Sequence, residues 1–125
     1  MKNRFDGLND DSIRGALLCS GMYELEPVRL SARSEYVSFT DEVLDLLSPM
    51  RHMDKLTIPM IVAHGTLETP EFKRQTLEFA DALKARGLLI SSIVAEQCNH
   101  LEVLETLANP YGLLGEAALH MIRDA

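Results

Sequence analysis

Ile58-Pro59-Met60-Ile61-Val62-Ala63-His64-Gly65-Thr66-Leu67-Glu68-Thr69-Pro70-Glu71-Phe72 decides the fold: an apolar run stops at a glycine turn, and an acid follows just ahead of a helix. A parallel sheet presents a carboxylate at its carboxyl edge in this way, where a strand ends and the chain turns toward a crossover helix. Two more apolar runs, Ile13 to Cys19 and Leu89 to Ala95, are bounded by Gly, Pro or polar residues and flanked by helical patterns. Nearly continuous apolarity predicts strands buried on both faces, as in parallel sheets with helical crossovers. The expected fold class is α/β: a short parallel sheet of about three strands (13–19, 60–64, 89–95) with helices on both faces.

Downstream of the central run, Phe72, Phe79, Ala80 and Leu83 fall on one stripe of an amphipathic helix over 71–86. Thr69 is placed to cap it, Pro70 suits its first turn, Glu71 complements the dipole, and Arg86-Gly87 supplies the stop. A second helix is predicted over 40–47 and closed by Ser48-Pro49, since the residue before proline is pushed out of the helical region. The stretch 26–39 reads mostly as loop. Two further helices, about 100–107 and 113–123, are separated by Asn109-Pro110-Tyr111-Gly112, with Leu114, Ala118, Met121 and Ile122 of the last expected against the sheet.

The chain has 125 residues, 46% of them hydrophobic, which suffices for one domain. Residues 1–12 read as a lead-in and 13–125 as the domain. A net charge of −7 with no Lys/Arg cluster argues against nucleic acid as a partner. No apolar stretch approaches the roughly 20 residues of a membrane span, and the amino terminus lacks an apolar signal core, so a cytoplasmic location is expected. Cys19 and Cys98 are not in a paired motif and read as reduced, structural residues. His52, His64 and His120 are too scattered for a metal site, and neither metal nor cofactor is expected. Arg29, Arg33 and Arg51 read as solvated surface before they read as an anion site.

A carboxylate paired with an imidazole serves general-base catalysis, because the acid fixes the ring tautomer and stabilises the imidazolium. Glu68 and His100 both follow predicted strands, so a parallel sheet brings them to one edge. Their surroundings, Glu68-Thr69-Pro70-Glu71-Phe72-Lys73-Arg74-Gln75 and Asn99-His100-Leu101-Glu102-Val103-Leu104-Glu105, join Ser20-Gly21-Met22-Tyr23-Glu24-Leu25-Glu26-Pro27 and Leu47-Ser48-Pro49 as four distinctive words. With them, residues 13–122 resemble the carboxyl-terminal part of an α/β-hydrolase of the esterase and arylformamidase (kynurenine formamidase-like) group.

The resemblance implies a three-layer partial α/β-hydrolase fold, with Glu68 as triad acid, where the family usually has Asp, and His100 as catalytic base. Such enzymes also carry a Gly-x-Ser-x-Gly nucleophile elbow and a His-Gly-Gly oxyanion segment, and this sequence contains neither. Ser20 ends the first strand but has Leu18 where an elbow has glycine, so it reads as the residue before a loop opened by Gly21. Tyr23 and Leu67 are expected to contact substrate. The sequence thus predicts a truncated hydrolase-family protein with weak or no hydrolase activity alone. The alternatives are a non-catalytic oligomeric module for a small molecule and one half of a split serine hydrolase. A bared sheet edge predicts self-association, at least to a dimer.

Overall fold

The structure, a computed structural model, describes residues 12–31, 35 and 38–124. Three strands, β1 (Ala16–Cys19), β2 (Met60–Gly65) and β3 (Leu89–Ala95), form a parallel sheet in the order β1-β2-β3. Around it lie α1 (Glu26–Arg29), α2 (Asp41–Leu47), a 3₁₀ helix (Pro49–Lys55), α3 (Pro70–Ala85), α4 (His100–Glu105) and α5 (Leu113–Asp124). The expected α/β class with helices on both faces is what the chain adopts.

Two apolar clusters sandwich the sheet. Met60 and Val62 of β2 meet Phe79, Ala80 and Leu83 of α3 on one face, while Ala63 meets Ala95, Val103 of α4 and Leu114 of α5 on the other. Alternate residues of β1 follow suit, Ala16 and Leu18 to the first cluster and Leu17 and Cys19 to the second. Burial of a side chain such as Phe79 or Leu83 contributes on the order of 2 kcal/mol, which outweighs the weak propensities of the short elements.

Only β2 is buried along its whole length. The expectation that β3 is covered on both faces is corrected: burial alternates along it, because as an edge strand it has helices over only part of its surface. An irregularity between Met60 and Ile61 shifts the register from Met60↔Leu89 to Ile61↔Ser91, which explains why Leu89 faces the α3 cluster while Ile93 and Ala95 face the other. The first strand begins at Ala16, not Ile13. Ala16 N donates to Pro59 O (3.1 Å), and Pro59 has no N–H to donate to the next carbonyl of the parallel partner, at Arg14, so the ladder stops there. At the other end β2 runs one residue past the expected limit, to Gly65.

Helix boundaries match the capping chemistry in most places. Asn99 caps α4 through a capping box, accepting from the N–H groups of Leu101 (3.0 Å) and Glu102 (2.9 Å) while Glu102 accepts from Asn99 N (2.9 Å). Thr40 caps α2 by accepting from Val43 N (3.1 Å). At the end of α3, Gly87 is left-handed (φ +72°), and Leu88 N reaches Leu83 O while Gly87 N reaches Lys84 O. Three details differ from expectation. Thr69 makes no side-chain cap; the chain past Ser48 tightens into a 3₁₀ helix; and Ile122 is 67% exposed, leaving Leu114 as the large side chain of α5 that is fully buried, beside buried Gly115. Residues 1–11 of the 1–12 lead-in, and Arg33, lie outside the described residues. Among the described residues, no helix is long and apolar enough to cross a membrane.

Candidate active site

Each strand hands one polar residue to the carboxyl edge of the sheet: Ser20 directly after β1, Glu68 in the turn after β2, and His100 at the start of α4 beyond β3. The β2 turn is tied down by Thr66 N to Ala95 O (3.1 Å), Leu67 N to Cys98 O (3.0 Å) and Glu68 N to Gly65 O (3.2 Å). Gly65 permits this closeness. A Cβ there would lie 2.2 Å from the Cys98 carbonyl oxygen and 2.6 Å from Val103 Cγ2. The capping box then seats His100 at the first position of α4, beside the acid.

The Glu68 side chain is fully buried and every contact it makes favours its charge. Oε1 lies 2.7 Å from His100 Nδ1, and Oε2 accepts from Gly65 N (2.7 Å) and from the Ser20 hydroxyl (2.7 Å). Burial alone would raise this carboxyl, but the Gly65 N–H, the Ser20 hydroxyl and His100 together hold it below its ordinary value. An ionised carboxylate only accepts, so Nδ1 of His100 donates this bond, and in the neutral ring the lone pair is then on Nε2. The imidazole is 53% exposed, and no described residue hydrogen-bonds Nε2. The Phe72 ring lies against it, centroids 4.7 Å apart and tilted by 41°.

A cleft of about 520 Å³ opens next to His100, lined by Met22, Leu25, Val28, Phe39 and Phe72 and also by Ser20. Its apolar wall is held from below by Gln75, a buried residue of α3. Gln75 Oε1 accepts from Tyr23 N (2.7 Å) and Glu24 N (2.8 Å), and Nε2 donates to Glu24 O (2.7 Å). Ser48, also buried, accepts from Leu25 N (3.0 Å), and Met50 N donates to Tyr23 O (2.8 Å). The four sequence words are thus four segments of one hydrogen-bonded network around the cleft.

Glu68 and His100 come together as expected; Tyr23 and Leu67 do not join them. Tyr23 is 5% exposed and stacked on Phe79, ring centroids 4.0 Å apart, so it serves the core, and the cleft is lined instead by its neighbours Met22 and Leu25. Leu67 is 58% exposed and outside the cleft lining, because the turn points it to solvent. Arg29 is paired with Glu26 and Asp41, and Arg51 with Glu24 and Asp45, which leaves neither guanidinium aimed at a ligand. Cys19 and Cys98 are half-buried and free, and burial pushes the Cys19 thiol up. Two residues escaped the sequence reading. Gln75 sits on the apolar stripe of α3, where its 3.6-residue spacing was the only signal, and Ser20 binds the acid through a backbone conformation that serine rarely adopts.

No family model matches the chain. It is 32% identical over 115 residues to a kynurenine formamidase of Danio rerio, covering 88% of this chain and 39% of that protein. To a kynurenine formamidase of Salmo salar it is 28% identical over 103 residues, covering 78% of this chain and 35% of the relative. The chain therefore spans well under half the length of these relatives. A crystal structure from a Silicibacter species, described as a candidate thioesterase, superposes with a TM-score of 0.71 at 22% identity, over 82% of this chain and 37% of that one. The last shows a shared fold, and the first two support a relation to hydrolases of the arylformamidase and esterase kind.

Proposed function

We propose that this chain carries the acid and the general base of a serine hydrolase acting on carboxylic ester or amide bonds, as the similarity to kynurenine formamidases suggests. The observation that carries the reading is the 2.7 Å contact between buried Glu68 and His100 Nδ1, which leaves Nε2 available beside an apolar cleft. In such a reaction a serine hydroxyl attacks the carbonyl carbon and gives its proton to Nε2. The buried carboxylate stabilises the imidazolium, which then protonates the departing alkoxide or amine. Water repeats the sequence on the acyl-enzyme.

The serine must come from a Gly-x-Ser-x-Gly segment, which these 125 residues do not contain, so the polypeptide alone has weak or no hydrolase activity. Loss of oxyanion donors alone removes about 3 to 4 kcal/mol of transition-state stabilisation. A split enzyme, in which another polypeptide supplies the elbow, is one form of this reading. The cleft favours one second reading, a non-catalytic module, dimeric through the β1 edge that no strand covers among the described residues, that binds a small apolar molecule in a cytoplasmic setting.

Para-nitrophenyl acetate separates these readings. The chain alone is expected to give no turnover above buffer, and addition of an elbow-bearing amino-terminal fragment of a kynurenine formamidase is expected to give turnover that His100→Ala and Glu68→Gln abolish. Turnover in the mixture that ignores both substitutions overturns the acid and base assignment. Rapid, His100-dependent turnover by the chain alone overturns the claim that it is inert. Thermal stabilisation by phenyl acetate without turnover in any mixture supports the binding module.

A further inference from the structure

We infer that Ser20 is a positioning residue, a latch that fixes which oxygen of the Glu68 carboxylate faces His100. This deepens the hydrolase reading and rests on it for its meaning. Glutamate has one more side-chain torsion than aspartate, so a Glu in a turn can present its carboxylate in several ways, and a general base needs one. Here Oε2 is occupied twice, by Gly65 N and by the Ser20 hydroxyl, both at 2.7 Å, and Oε1 is left to His100. The Gly65 donor lies on the same turn as the acid. Ser20 is the donor from a different strand, and it locks the turn after β2 to the end of β1.

The backbone supports an assigned role for this hydroxyl. Ser20 has φ +53°, a left-handed conformation that side-chain-bearing residues rarely take, while its own N–H still bonds Ala63 O at 2.9 Å. The chain thus keeps the sheet ladder and bends sharply at the next step, which turns Oγ back over the sheet edge onto the acid. Ser20 is 5% exposed, and its hydroxyl is engaged with the carboxylate on the side away from the imidazole. This geometry makes it a partner of the acid, not a nucleophile facing Nε2. The left-handed backbone is the strain that accompanies the latch.

Two substitutions in the full chain test this. Ser20→Gly removes the hydroxyl and relaxes the left-handed backbone; Ser20→Ala removes the hydroxyl and keeps the strain. The readouts are the titration of the Glu68 carboxyl carbon and the exchange of the His100 Nδ1 proton with water, both by NMR. With the latch lost, the Glu68 midpoint is expected to rise by about one unit in both variants, a factor of about ten in its proton equilibrium. The His100 Nδ1 proton is expected to exchange faster. Cys19, Tyr23 and His64 also feel the Glu68 charge and His100 is bonded to it; both substitutions keep these residues but remove the Ser20 hydroxyl that lies 3.9 Å from Cys19 Sγ. An unchanged Glu68 midpoint in Ser20→Gly overturns the latch, as does a shift confined to Ser20→Ala; should Ser20→Ala not fold, Ser20→Gly decides alone. A shifted midpoint alongside failed complementation retires the hydrolase reading and leaves the latch standing, whereas the reverse pattern retires the latch alone.

Discussion

The two ends of the sheet carry hollows of similar size and opposite construction. At the carboxyl end, about 520 Å³ of space adjoins a buried carboxylate with three donors around it and a glycine pressed against a carbonyl. At the amino end, about 470 Å³ lies among Arg14, Gly15, Pro59, Ile90, Met121 and Ile122, with Ile90 and Ile122 still 48% and 67% exposed. Volume therefore does not mark the site. What does is the convergence of desolvated, hydrogen-bonded charge, which folding tolerates only where geometry is fixed. The carboxyl end is built backbone to backbone, whereas the amino end is walled by flexible side chains.

The sharpest way to break this contrast is Gly65→Ala. The added methyl would meet Cys98 O at 2.2 Å and Val103 Cγ2 at 2.6 Å, distances that force the β2 turn and the loop before α4 apart. The expected loss is about 3 kcal/mol or more, a large share of the roughly 5 to 15 kcal/mol that holds a domain folded. Urea denaturation should show a clearly lower midpoint. The Glu68 to His100 hydrogen bond should weaken in the fraction that remains folded. A midpoint equal to that of the parent chain would mean that the two loops are not in contact at all.

Glu68→Gln probes the same end through charge instead of shape. Replacing hydrogen bonds to an ionised group by neutral ones is expected to cost about 2 kcal/mol at pH 7. The sign of its pH dependence follows from the lowered carboxyl. A group whose folded pKa is depressed adds stability that is fully present above its unfolded value, here the ordinary 4.5, and that disappears as pH falls through the folded value. The gap between the parent and Gln variant should thus be widest near neutrality and shrink below pH 4.5. Glu24, Asp41 and Glu71 are also held low by their arginine partners, but they titrate identically in both proteins and cancel in the difference. Parallel stability curves across this range would show that Glu68 is not stabilised as an anion.

The contrast between the ends also explains what could be read from the sequence. The run from Ile58 to Phe72 and the Asn99-His100-Leu101-Glu102 word announce a strand end, a turn acid and a capped helix, because each depends on neighbours within a few residues. Ser20 does not announce itself. Its left-handed φ and its bond to an acid 48 positions away are products of the assembled sheet, and no local pattern encodes them. Gln75 is hidden for a related reason: its amide caps peptide groups of a loop 51 and 52 residues earlier, so on the helix it reads as a polar interruption of the stripe. Tyr23 errs the other way. Its place in a word beside the site suggested contact with a ligand, yet stacking on Phe79 fixes it in the core. The amino end misled through Ile13 and Ile122, apolar residues that remain 64% and 67% exposed because β1 starts late and the last turn of α5 overhangs the sheet.

Gly15→Ala is the counterpart of Gly65→Ala and carries the smallest expected effect. Its methyl would first meet Met121 Sδ at 3.3 Å and then Pro59 O at 3.5 Å. A thioether on three rotatable bonds can move by the few tenths of an ångström required, and Gly15 is not left-handed, so alanine fits its backbone. Reduced freedom of the unfolded chain offsets what tightness remains, and the net change should stay within about 0.5 kcal/mol. Measured side by side in urea, the same chemical change should cost several-fold more at the carboxyl edge than at the amino edge. A comparable loss at Gly15 would show that the amino end is as rigidly packed as the site, and the distinction between a backbone-built edge and a side-chain-walled one would then have no energetic content.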